Sequence, residues 1–145
     1  MSGIAALLLN KGYKISGSDR TLTDITKNLE DNGAKIFIGQ RKENITNPDL
    51  VVYTDAILDD NEELIAARNL DVPVVTRGVF LGALMKNYKH SIAVSGSHGK
   101  STATSMISKI LLNSSEDASI LLGGELGDMH GNVPVSYTHL RAHET

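Results

Sequence analysis

The sequence predicts an α/β fold with a mainly parallel sheet, and three observations carry that expectation. Short apolar runs such as Leu50-Val51-Val52-Tyr53 alternate with helix-compatible stretches. Turn residues bound the runs, as in Ser16-Gly17-Ser18-Asp19, Gly39 and Pro48-Asp49. Lastly, the apolar run Ile92-Ala93-Val94 enters a glycine loop, Ser95-Gly96-Ser97-His98-Gly99-Lys100-Ser101, that opens onto another helix-compatible stretch. Alternation of this kind signals parallel strands joined by right-handed crossovers.

In order, residues 1–12 predict a helix with Ile4, Leu7 and Leu8 on one face and Gly12 as its terminator. Tyr13 to Ser18 reads as a strand, residues 22–32 as a helix stopped by Gly33, and Ala34 to Ile38 as the next strand. Gln40 to Asn47 is polar and suits a helical turn. Leu50 to Tyr53 is a strongly apolar strand, with Thr54-Asp55-Ala56 at its C-terminal end, where open α/β sheets bind ligands. Asn61 to Asn69 is a helix, Val72 to Val75 a strand whose Pro73 suits an edge or a start, and residues 78–87 an apolar helix. Arg77 falls on the same ligand-binding rim as Thr54. Asn87 to His90 is a polar break and a candidate domain boundary. Beyond it come a strand at Ile92–Val94, the glycine loop, a helix over Thr102–Leu112, and a strand from Ser119 to Leu122 ended by Gly123-Gly124.

Composition excludes several classes. The 145 residues suit about one domain, and 41% hydrophobic with 21% charged residues is the balance of a globular chain. A net charge of −3 and 4% aromatic residues argue against nucleic acid as the main partner. The absence of cysteine excludes a disulfide framework and thiolate metal sites, and it fits a cytoplasmic protein. The apolar run Ile4–Leu9 is far short of the ~20 residues a membrane span needs, and it lacks the flanks of a signal peptide. Neither membrane insertion nor an obligate protein partner is expected.

The glycine loop carries the chemistry. Backbone N–H groups of a tight loop and of a helix N-terminus attract anions, and glycine permits close approach. Lys100 can reach terminal phosphates, and the Ser101 hydroxyl can ligate Mg²⁺. The generic phosphate-loop pattern wants a glycine where Val94 stands, so an ordinary strand-to-helix turn with an exposed lysine is the competing reading. Asp19 has two readings as well. It can meet a ribose hydroxyl beyond the second strand of a nucleotide-binding unit, or it can cap the following helix.

Residues 136–145 break the pattern and read like a translated cloning scar, a non-native tail set aside from the fold. His139 and His143 have the spacing of a helical metal pair, but no third ligand accompanies them.

Together these stretches resemble the Mur ligase family. Met1-Ser2-Gly3-Ile4-Ala5 is similar to the end of its G-x-G-M-S-G-I-A turn, and Gly17-Ser18-Asp19 to its G-S-D. Val51-Val52-Tyr53-Thr54-Asp55-Ala56-Ile57 loosely resembles its V-V-Y-S-S-A-I segment. Ala93 to Ser101 resembles its ATP loop, A-x-x-G-T-H-G-K-T, which also lacks the first glycine. The likeness covers residues 1–135 and favours the branch that adds L-alanine to UDP-N-acetylmuramate, with the branch that recycles murein tripeptide as its nearest competitor.

The resemblance implies a Rossmann-like UDP-substrate-binding domain over residues 1–88, the start of a P-loop ATP-binding domain over 89–135, and substrates UDP-N-acetylmuramate and L-alanine. It implies ATP and Mg²⁺ as cofactors and an acyl-phosphate intermediate. On this chain Gly96, Ser97, His98, Gly99, Lys100, Ser101 and Thr102 match the ATP-binding motif, with Lys100 as the catalytic lysine and Ser101 as the Mg²⁺ ligand. For His98 a structural hydrogen bond is the alternative. Ser18, Asp19, Thr54 and Arg77 are candidates for UDP or muramyl contacts, with surface or capping roles as the alternatives.

By the same resemblance the family's first strand precedes Met1, and its acidic Mg²⁺ ligands and third domain lie beyond the residues present. The parallel sheet is then expected to be broken at that strand, and the 145-residue chain alone is expected to be poorly stable and without ligase activity. A non-catalytic nucleotide-binding module and a dinucleotide-dependent oxidoreductase are the other readings. The loop at 96–101 argues against the oxidoreductase.

Overall fold

The computed structural model describes residues 1–114 and 118–121. Helix α1 (Ser2–Asn10) leads to strand β1 (Ser16–Asp19), helix α2 (Asp24–Asp31) and strand β2 (Lys35–Ile38). A short 3-10 turn at Lys42–Asn44 follows. Then come strand β3 (Val51–Tyr53), helix α3 (Glu62–Arg68), strand β4 (Val74–Thr76), helix α4 (Arg77–Met85) and helix α5 (Lys100–Leu112).

Two of the sequence signals act as local stops. The N–H of Gly12 bonds to the Leu9 carbonyl and that of Tyr13 to the Leu8 carbonyl, a Schellman closure of α1. Gly33 and Ala34 close α2 in the same way on the carbonyls of Glu30 and Leu29. Both glycines need a left-handed backbone, with φ of 86° at Gly12 and 100° at Gly33. At its other end α2 opens with a capping box between Thr23 and Thr26, each side chain accepting the other's backbone N–H.

Each pair of strands forms its own parallel sheet. β1 pairs with β2 in the register Ser16↔Lys35 to Asp19↔Ile38, and β3 with β4 from Val51↔Val74 to Tyr53↔Thr76. The two sheets share no ladder, so the sheet is broken between β1 and β3. This is the break that the strand order predicts.

The first unit closes over a small apolar core. Ala6, Leu29 and Ala34 form its centre, with Ala5, Leu9, Ile15 and Ile36 packed around them. Thus α1 and α2 cover β2 through small and branched side chains. Ile4 and Leu7 of α1 are buried as the predicted helix face requires, Leu7 to 1% exposure, whereas Leu8 is half-buried. In the second unit Leu64, Ala67 and Leu84 are buried on α3 and α4. The Lys11 ammonium lies 5.3 Å from the Tyr88 ring centroid and so ties the polar break after α4 to the end of α1.

The structure departs from the sequence reading in several places. Ile92–Val94 is not a strand, and residues 119–121 are not one either. A strand forms by pairing its N–H and C=O groups with a neighbour, and no strand among the described residues lies beside either run. β1 starts at Ser16 rather than Tyr13, and β4 starts at Val74, after Pro73. Leu122, Gly123-Gly124 and the stretch from 136 to 145, with His139 and His143, lie outside the described residues. Helix α5 forms as expected, yet it turns Ser105 and Ser108 inward and leaves Met106 and Ile110 exposed. The hydroxyls of Ser105 and Ser108 satisfy themselves on the carbonyls of Ser101 and Thr104, both at 2.7 Å.

Two substitutions test this account. Leu7→Ala is expected to lower the unfolding free energy by about 3 kcal/mol through lost burial and a cavity. Gly33→Ala should cost about 1 kcal/mol for forcing a Cβ into the left-handed region. Urea denaturation of the 145-residue chain, followed by circular dichroism, reads both.

Candidate functional site

Within each sheet the strands are parallel, and the sequence-predicted substrate residues lie at or just after strand C-terminal ends. Ser18 and Asp19 end β1, Thr54 follows β3, and Arg77 opens α4 directly after β4. Arg77 is therefore a helix residue rather than a loop residue, because the Thr76 hydroxyl accepts the Val79 N–H and caps α4 one position earlier.

Asp19 and Arg77 both act electrostatically on the Met1 amino group that begins the chain before α1. The Met1 amino group has a lowered pKa, chiefly because burial penalises its charge and then because of the nearby Arg77 cation, while Asp19 opposes the shift. Asp19 does not cap α2, since Thr23 does that. Its Oδ1 instead accepts the Arg20 N–H at 2.6 Å and turns the chain off the end of β1. Thr54 is half-buried, and its carbonyl accepts the Ile57 N–H at 3.0 Å in the turn after β3.

Ser18 has a specific partner. Its hydroxyl donates to Glu63 Oε2 at 2.5 Å, across 45 residues of sequence. Glu63 Oε1 accepts from Asn44 Nδ2 at 2.6 Å, and the same Asn44 amide donates to the Gly39 carbonyl at 2.9 Å. Beside it, Asn61 Oδ1 accepts the N–H groups of Glu63 and Leu64 as the cap of α3, while its Nδ2 donates to Gln40 Oε1 at 2.6 Å. A cavity of about 130 Å³ opens next to this network, lined by Arg20, Gln40, Ile57, Asp60 and Asn61 among others.

Arg20, Gln40, Asn44 and Glu63 were not singled out by the sequence reading. The Asn61 cap signal was legible, as was an acid in the first turn of α3. Nothing local announces that this acid reaches β1.

The glycine loop lies apart, at the start of α5. Gly99 is the N-cap in a left-handed conformation, φ 74°, and supplies no side-chain cap. The first-turn N–H groups of α5, including those of Lys100, Ser101 and Thr102, therefore face outward as orphan donors. Lys100 is exposed, and its Nζ folds back to donate to the Gly96 carbonyl at 2.6 Å and the Ser97 carbonyl at 3.3 Å. Ser97, His98, Ser101 and Thr102 are exposed. His98 makes no hydrogen bond among the described residues.

Among the described residues no group of three His, Asp or Glu side chains could hold a metal. The oxygen donors available at the loop are hydroxyls, Ser97, Ser101 and Thr102 among them, with no carboxylate in the loop sequence. That set fits a Mg²⁺ carried by phosphate oxygens and water, and it does not fit a metal caged by protein alone.

The comparisons with known proteins decide the family. The profile described as "Mur ligase family, catalytic domain" matches residues 1–89, more than half of the chain. The chain belongs to the Mur ligase family. It is 51% identical over 135 residues to a UDP-N-acetylmuramate–L-alanine ligase of Clostridium botulinum strain Okra, covering 93% of this chain and 30% of that protein. The namesake protein of Alkaliphilus metalliredigens is 52% identical over 135 residues, covering 93% of this chain and 29% of its own length. Among solved structures, a UDP-N-acetylmuramate-alanine ligase from Thermotoga maritima superposes with a TM-score of 0.69 at 34% identity, covering 77% of this chain and 27% of that one. This Mur ligase chain therefore spans about a third of the length of the relatives it matches, and its α/β architecture is that of the matched part.

The Asn61 cap gives a direct check on the rim. Asn61→Ala should cost about 1 kcal/mol or more of stability, since it strips the α3 cap and orphans Gln40. Asn61→Asp keeps the cap acceptor and should lie closer to wild type in urea denaturation.

Proposed function

We propose that this chain serves the ATP-dependent joining of L-alanine to UDP-N-acetylmuramate, supplying the substrate-nucleotide rim and the ATP phosphate loop. The observation that carries the reading is the uncapped α5 start with Lys100 beside it, in a chain half identical to ligases of that name. Residues 1–88 are read as the UDP-substrate-binding domain and 89–135 as the beginning of the ATP-binding domain. The location that goes with this reading is the cytoplasm. Among the described residues no helix is long and apolar enough to cross a membrane.

In this reading the β- and γ-phosphates sit on the N–H groups of residues 97–102, with the α5 dipole favouring their charge. Lys100 Nζ exchanges the carbonyls of Gly96 and Ser97 for phosphate oxygens, a stronger, charge-assisted pairing. Ser101 would hold Mg²⁺, which neutralises phosphate charge when bound. The muramyl carboxylate attacks the γ-phosphorus and releases ADP, giving an acyl phosphate. The alanine ammonium gives up one proton, the resulting amine attacks the acyl carbon, phosphate leaves, and the nitrogen loses a second proton and keeps one N–H as the amide forms. At the rim, Asp19 is assigned to the ribose hydroxyls, Arg77 to the diphosphate, and Ser18 and Thr54 to neighbouring polar contacts.

Binding measurements on the 145-residue chain test this. UDP and Mg²⁺–ATP should each bind saturably, without alanine-dependent phosphate release. Lys100→Ala should weaken ATP about tenfold or more and leave UDP unchanged. Adding Mg²⁺ should tighten ATP binding in the wild type, and Ser101→Ala should lose that gain. Equal ATP affinity in wild type and Lys100→Ala would refute the loop assignment.

A further inference from the structure

We propose that Asn32 is a site of spontaneous deamidation, held in check by the closed C-terminus of α2. The inference rests on α2, the turn after it and the core residues they touch, and it is independent of any bound ligand. Of the asparagines in the sequence only Asn32 is followed by glycine. Gly33 has no Cβ to shield its nitrogen, and its backbone turns freely once released. Asn32 is exposed, so water and hydroxide reach its side chain.

The reaction balances with water as its only co-reactant. Hydroxide takes the Gly33 amide proton. The nitrogen then attacks Asn32 Cγ and forms a new N–C bond. The Cγ–Nδ2 bond breaks, and ammonia leaves with a proton returned from water, which restores the hydroxide. The cyclic imide left behind takes up one water. Opening at Cγ gives aspartate. Opening at the main-chain carbonyl gives isoaspartate, whose backbone runs through the former side chain.

Both reacting groups are occupied in the structure. The Gly33 N–H donates to the Glu30 carbonyl at 2.9 Å in the Schellman closure. The Asn32 amide donates to the Asn28 carbonyl at 2.6 Å and to Asn28 Oδ1 at 2.7 Å. Attack requires the amide to leave Asn28 and the nitrogen to leave Glu30, so the last turn of α2 must open first. The same closure carries Ala34. Its N–H bonds to the Leu29 carbonyl at 2.9 Å, and its side chain lies in the core with Ala6 and Leu29. The product is out of place there. A carboxylate at position 32 follows Glu30 and Asp31 at the negative end of a helix that has no basic residue in its last turn. Isoaspartate also lengthens the backbone inside the closure. Deamidation is thus a one-way change that loosens the turn from α2 into β2 and the small core behind it.

Incubation of the full 145-residue chain at mildly alkaline pH, with and without denaturing urea, tests this. Trypsin cuts after Lys27 and Lys35, so one peptide reports conversion at Asn32 with Asn28 as its internal control. In urea, mass spectrometry should find Asn32 converting ahead of every other asparagine. Without urea its rate should fall about tenfold or more, the scale of a local opening. Asn28→Val, at an exposed position, keeps a similar helix propensity and removes the side-chain acceptor. It should speed conversion about fivefold in the folded chain, the scale of one hydrogen bond, and leave the rate in urea unchanged. The aged chain and Asn32→Asp should both unfold at lower urea than wild type. Conversion in urea no faster at Asn32 than at the other asparagines overturns the site. Equal rates with and without urea overturn the protection by α2, as does a folded Asn28→Val chain that converts no faster than wild type. A wild-type urea midpoint in the isoaspartyl chain overturns the link to the core.

Discussion

Side-chain hydrogen bonds from the start of α3 to the C-terminal ends of β1 and β2 tie the second strand pair to the first, and the shape of the rim depends on them. A two-stranded parallel sheet is a weak unit that depends on helices for cover. Here α1 and α2 cover the first pair through Ala6, Leu29 and Ala34, and α4 lies against the second pair. Polar side chains cross between the units. Glu63 reaches Ser18 and Asn44, and Asn61 reaches Gln40. These groups converge on the C-terminal ends of the strands, so the same contacts that join the units also shape the rim where an α/β sheet receives its ligand.

The phosphate loop works by a different economy. It has no strand beneath it among the described residues, and Gly99 gives α5 no side-chain cap. What holds the loop is Lys100, whose ammonium rests on two carbonyls of the loop it follows. Neutral carbonyls are weaker partners for an ammonium than anionic oxygens would be. The outward Met106 and Ile110 of α5 belong to the same picture of a helix whose sheet-side packing is not present among the described residues.

Much of the first unit was legible in the sequence. Gly12 and Gly33 marked helix ends because only a residue without a Cβ enters the left-handed region cheaply. The loop was legible for a similar reason, since its glycines, lysine and serine are adjacent in the chain. The strand at Ile92–Val94 was misread because apolar character states only that a run can pair, not that a partner lies beside it. Asp19 was open between two roles, and the structure gave the cap of α2 to Thr23, four positions later.

The sequence by itself determined the α/β class, the place of each helix to within a few residues and the glycine-loop motif, because each rests on residues within a few positions of one another. The family likeness was legible for the same reason, since it is carried by short contiguous motifs. Tertiary structure alone decided that Glu63 of α3 reaches Ser18 at the end of β1. It also set Asp19 and Arg77 where both act electrostatically on the Met1 amino group. These pairings join residues tens of positions apart. Their energy depends on where folding has placed two backbones, and no local pattern of residues encodes that distance.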